Sequence, residues 1–154
     1  MALDIDSILT EVISHAQTLG VFQEVNGHEP KSAPGNHVTA AVWVQELDPV
    51  PGMSGLASSS IRLGLMVRMY APMISEAPDA IDPNLLKALD ALCAAYTGDF
   101  TLDGTVTEVD IFGAYGDPMR GRAGYVNQDG RMYRVMDLTV PVIVTDLWDQ
   151  EATA

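Results

Sequence analysis

Residues 59–70 read SSIRLGLMVRMY, and the alternation inside them decides the fold. Ile61, Leu63, Leu65, Val67 and Met69 recur at every second position, with Arg62, Gly64, Met66, Arg68 and Tyr70 between them. A period of two belongs to a β-strand, because successive side chains leave its backbone on opposite sides. One face is continuously apolar and has to be covered, whereas the other is mixed and carries two arginines. The stretch predicts a strand over 59–70 with a core on one side.

Upstream, Val38, Ala40, Val42 and Val44 alternate with Thr39, Ala41, Trp43 and Gln45, which predicts a second strand over 37–45. The segment between the two, 46–58, contains Pro49, Pro51, Gly52 and Gly55 and reads as a loop, as does 26–36. A short strand is expected at 21–25. Before it, Ile5, Ile8, Leu9, Val12, Ile13, Ala16 and Leu19 fall at spacings of three and four, the stripe of an amphipathic helix over 5–19. Asp4 or Asp6 can cap its first amides and Gly20 can end it in the left-handed region.

Downstream, Asp82 and Pro83 fit the cap and first position of a second helix over 83–96, whose stripe is Leu85, Leu86, Leu89, Leu92, Cys93 and Tyr96. Val106, Val109 and Ile111 mark a strand over 105–111, and 112–124, with four glycines, reads as a third loop. Tyr125 and Val126 then lead into a hairpin turn at Asn127–Gly130 and a long strand over 132–145. Pro141 has no amide to donate, which predicts an edge or a bulge there. The elements do not alternate strand with helix throughout, so the expected class is α+β: an antiparallel or mixed β-sheet with two α-helices packed on one face. A single domain over 1–148 and a flexible tail over 149–154 are expected.

The chain has 154 residues, 47% of them hydrophobic and 19% charged, which suits one folded domain. Its formal charge of −13 repels phosphates and anionic lipid, so wrapping nucleic acid or lying on a membrane is disfavoured. Cys93 is the single cysteine and has no internal disulfide partner. No signal-like segment or long apolar run opens the sequence, which predicts folding in the cytoplasm.

Chemistry-bearing residues are sparse. His15, His28 and His37 lack the spacing of metal ligands, and Cys93 lies on an apolar helical stripe where it acts as a small hydrophobe. Ser58, Ser59 and Ser60 stand outside any nucleophile-elbow pattern, and no phosphate-cradling loop is present. No catalytic residue, metal or cofactor is expected. Contacts with other chains are expected instead at Met53 and Met119, apolar residues set in Pro/Gly-rich loops, and at Trp148. Arginines cluster late in the chain at Arg68, Arg120, Arg122, Arg131 and Arg134, where their planar forks suit carboxylates of a neighbouring subunit.

The opening helix, the Pro/Gly loop before a strand pair, the helix start Asp82-Pro83-Asn84-Leu85-Leu86 and the segment GYVNQDGRMYRVMDLTVPVIVTDLW at 124–148 give the chain a likeness. Together they resemble the tail terminator proteins of long-tailed, siphovirus-type bacteriophages, the group that includes the lambda minor tail protein U. The resemblance implies a structural virion protein made in the host cytoplasm, with no enzymatic activity. It would form a homohexameric ring on the head-proximal end of the tail, stop polymerisation of the major tail (tube) protein and meet the head-side stopper or neck protein. DNA would only pass through the lumen. Another connector or stopper protein, or the cap of a contractile injection machine, shares parts of this plan. A small-molecule-binding domain or hydrolase built on His28 and His37 is the rival from a different class.

Overall fold

The computed structural model describes residues 2–30, 37–55, 57–73 and 78–149. Helix α1 (Ile5–Thr18) opens on Asp4, whose carboxylate accepts from the Ser7 amide at 3.2 Å and the Ser7 hydroxyl at 2.7 Å. Strands β1 (Glu24–Asn26) and β2 (Thr39–Pro49) follow, then a 3-10 turn at Pro51–Met53 and strand β3 (Ser58–Pro72). Helix α2 (Pro78–Gly98) precedes β4 (Glu108–Val109), β5 (Arg120–Gln128) and β6 (Arg131–Asp149).

The strands make one sheet in the order β1-β2-β3-β6, with β4 and β5 both pairing to the far side of β6. β1 runs parallel to β2 and every other pair is antiparallel, so the sheet is mixed and the fold is α+β. Both helices cover one face. Ile8, Val12 and Ala16 of α1 and Ile81, Leu85, Leu92 and Tyr96 of α2 pack with Leu63, Leu65, Val67, Leu138 and Val140 in the main core. Removing each of the Ile, Leu and Val side chains from water contributes about 1.5–3 kcal/mol. The buried Tyr96 hydroxyl donates to the Val12 carbonyl at 2.9 Å and ties the helices together.

Several sequence expectations need correction. α2 begins at Pro78, not 83, and Pro83 lies inside it. Ile81 is 2% exposed, so core packing holds the added first turn despite the proline. Asp82 is not the cap; it pairs with Arg134. β2 continues through 46–49, expected as loop, and β5 starts at Arg120 inside the expected third loop. β4 spans two residues, far fewer than the expected 105–111. β6 is interior rather than an edge: Pro141 falls where its outer partner changes from β5, ending at Thr139, to β4, starting at Val142. The Pro141 carbonyl accepts from the Asp110 amide on that side, so the missing donor also faces the seam and β3 loses nothing. Asp149, expected in a loose tail, belongs to β6 and pairs with Ser58; residues 150–154, like most of the 26–36 loop, lie outside the described residues.

Candidate functional site

The helices do not cover the other face of the sheet, where Ala41, Tyr70, Tyr133 and Val135 form a second, smaller buried cluster. On it, register places Asp137 of β6 between Arg68 of β3 and Arg122 of β5, one directly opposite on each neighbouring strand. Arg68 takes the carboxylate with both arms of its fork, Nε to Oδ1 at 2.6 Å and Nη2 to Oδ2 at 3.0 Å. Its guanidinium also lies 5.5 Å from the centre of the Trp43 ring. The hydrogen bonds to Asp137 push the Arg68 pKa up against the opposing effect of burial, which keeps the charge fixed at any working pH. Beside this pair, Tyr70 and Tyr133 meet edge to face with centroids 6.1 Å apart, and burial pushes the Tyr70 phenol up.

Towards the β2 and β5 margins the face widens into a cleft of about 390 Å³ lined by Glu46, Arg68, Asp117, Arg120, Arg122 and Asp137 among others. Three arginines thus share it with three carboxylates. Arg120 reaches Asp117 at 3.7 Å with both side chains exposed, a pair worth about 0–1 kcal/mol. Arg122 is exposed and forms no ion pair among the described residues.

One end of the cleft is braced from below. Arg62, 7% exposed, donates from Nε to the buried Asp110 at 3.1 Å, and its Nη2 donates to the Asp117 carbonyl. Asp110 also accepts the amides of Ala114 and Tyr115 at 2.8 and 3.1 Å, so one carboxylate shapes the whole 110–118 loop. Gly116 is required here, because a Cβ would come 2.6 Å from the Arg62 guanidinium. The loop holds Phe112 out at 93% exposure.

The expected contact residues are dispersed. Arg120, Arg122 and Arg68 meet in the cleft, but Arg68 commits its fork to Asp137 inside the chain. Arg134 lies on the opposite face, bound to Asp82 at 2.8 Å and stacked 4.4 Å from the Tyr125 ring centre. Met119 packs half-buried against the main core, so this loop methionine has the internal cover that its sequence setting did not reveal. Met53 ends the 3-10 turn, and its side chain lies outside the described residues. Trp148 is 38% exposed opposite Ser59 at the end of β6. Cys93 packs half-buried against the core, and burial raises its thiol pKa.

His28 and His37 are both exposed. His15 instead joins Asp99 at 2.8 Å, with Glu11 nearby, and this trio is the metal-compatible group found among the described residues. The Asp99 carboxylate also accepts the Asp103 amide, so the trio reads as a clamp on the end of α2. Sequence reasoning passed over Arg62, Asp110 and Phe112. An arginine between Ile61 and Leu63 on a mostly apolar strand was the available signal for the buried pair. No described helix is long and apolar enough to cross a membrane. A scan against protein-family models finds no match to the chain, and a search of curated proteins finds none either.

Proposed function

We propose that this chain is the tail terminator of a long-tailed bacteriophage, a ring-forming subunit that caps the tube, stops its growth and presents a surface to the neck. The observation that supports the reading is the pair Arg120 and Arg122: exposed, on the helix-free face, and barely used by the fold in a chain of charge −13. In an acidic protein, arginines that the fold does not use are suited to carboxylates on another chain. The sequence likeness at 82–86 and 124–148 supplies the identity of that assembly, with the tube protein and the head-side neck protein as further partners. The acidic balance suits a conduit wall, since phosphates of passing DNA are not held by it.

Electron microscopy of tails made with and without this chain tests the proposal. Tubes of uncontrolled length that fail to join heads are expected when it is missing. Normal, joined tails lacking the chain would remove the assignment.

A further inference from the structure

Among the described residues, two edges of the sheet are unpaired. Odd-numbered residues of β6 turn their amides and carbonyls towards β4 and β5, as the carbonyls of Pro141 and Ile143 show by accepting from Asp110 and Thr107. The antiparallel register then points Arg120, Arg122 and Gly124 inward and turns the backbone groups of Gly121, Ala123, Tyr125 and Asn127 outward, where no described residue pairs with them. On the far side, β1 covers β2 only at Thr39–Ala41. Beyond the irregularity at Val44/Glu46, Glu46 and Asp48 face β3 and the backbone of Leu47 faces out.

The two edges carry opposite charge on the same face. Arg120 and Arg122 project from β5 on the helix-free face, and so does Glu46, whose Cγ covers Gly64 of that face; Asp48, two residues on, shares it. We propose that a second copy of this chain adds edge to edge, with β5 of one subunit antiparallel to β2 of the next. Arg122 then stands opposite Glu46, Arg120 opposite Asp48, and the outward backbone of Gly121 meets that of Leu47. The strand directions agree, because β5 and β2 already run in opposite senses within one chain. Pro49, without an amide, ends the new ladder. On the helix side the contact lays the exposed Val44 and Leu47 beside Gly121 and Ala123, where Leu89 of α2 already covers Gly121 and offers them an apolar neighbour.

The same charges disfavour the two-fold alternatives built on the same backbone groups. Centred on Gly121, a two-fold contact of β5 with β5 sets Arg120 against Arg122, and centred on Leu47, one of β2 with β2 sets Glu46 against Asp48, both unfavourable in directly opposed cross-strand positions. The head-to-tail arrangement sets unlike charges opposite each other, and such contacts close into rings or run on as filaments. The inference rests on the terminator reading only in taking a second copy as the partner.

The test uses two variants of the full chain, Arg120→Glu with Arg122→Glu, and Glu46→Arg with Asp48→Arg, together with a cysteine pair, Arg122→Cys with Glu46→Cys, in a Cys93→Ser background. Glu46, Asp48, Arg120 and Arg122 are exposed, Cys93 is half-buried, and circular dichroism checks that folding is intact. Under mild oxidation at high concentration the cysteine pair is expected to give a ladder of covalent oligomers, whereas either cysteine alone gives none beyond traces of dimer. Each charge variant alone is expected to associate at least about tenfold more weakly in sedimentation, and an equimolar mixture of the two to regain it, because every contact between unlike variants is again attractive. Oligomers unaffected by either reversal, or no ladder from the folded cysteine pair, would overturn the inference while leaving the tail-capping experiment to decide the terminator role.

Discussion

Replacing Asp110 by alanine strips a buried arginine of its counter-charge. Asp110 and Arg62 are 5% and 7% exposed, so water cannot take over the lost contact without opening the fold. The carboxylate accepts Arg62 Nε at 3.1 Å and the amides of Ala114 and Tyr115 at 2.8 and 3.1 Å. Breaking a buried pair from one side costs about 3–5 kcal/mol. Arg62 keeps the Asp117 carbonyl, and the two amides belong to a partly exposed loop that water reaches, so the lower end, about 3 kcal/mol, is expected. With a urea slope of about 2 kcal/mol per molar, the unfolding midpoint drops by about 1.5 M. Adding Arg62→Met to the Asp110→Ala background removes the stranded charge and should recover most of the loss, since apolar replacement of a buried pair is often neutral. A single-variant loss below about 1 kcal/mol, the level of an exposed pair, or a double variant no better than the single, would refute the view that this pair organises the loop.

Tyr96→Phe removes the hydroxyl bond to Val12 and should cost about 0.5–1.5 kcal/mol in urea unfolding. Burial raises the Tyr96 pKa, so the fold favours the neutral phenol; the stability this brings is intact below about pH 10 and lost as pH climbs further, and urea midpoints at pH 8 and 11 should show Tyr96→Phe losing less than the parent. Gly113 has φ +71° with the Gly116 carbonyl 2.5 Å from where a Cβ would sit, so Gly113→Ala is expected to lower stability by about 1–3 kcal/mol. The Cys93 thiol, raised by burial, should react with a disulfide reagent at pH 7.5 at least about tenfold more slowly in the folded chain than in urea; equal rates would place it at the surface.

What sequence made legible follows from what each element must bury. β3 announced itself because one of its faces lies wholly in the core, which forces strict alternation from Ile61 to Met69. Helix α1 did so for the same reason, with Ile8, Val12 and Ala16 on one stripe. Only the hairpin end of β5, at Tyr125 and Val126, was legible; its first half reads as loop because β5 is exposed along most of its length, so RGRAG has no apolar period to keep and its glycines imitate a loop. The polar half of β2 was hidden likewise. The start of α2 was misplaced because Asp82-Pro83 imitates a cap, while the cause of the longer helix, burial of Ile81, is tertiary. Within the candidate site, the arginines were visible as a cluster of like residues. Their division into committed and uncommitted members was not, because it depends on which carboxylate the register sets opposite each: Asp137 for Arg68, Asp82 for Arg134 and Asp110 for Arg62.

The place of β6 in the sheet also has a consequence for synthesis. It is the strand that β3, β4 and β5 all require, yet it is the last described element to leave the ribosome. β3 ends at Pro72 and β6 at Asp149, an interval that takes about 4–15 s at ordinary translation rates. Throughout it, the long apolar face of β3 has half its hydrogen-bonding partners missing and no finished core to enter. The nascent chain therefore holds an apolar strand face and an unpaired edge exposed during that window, and slow translation over 73–149 would prolong its exposure to aggregation.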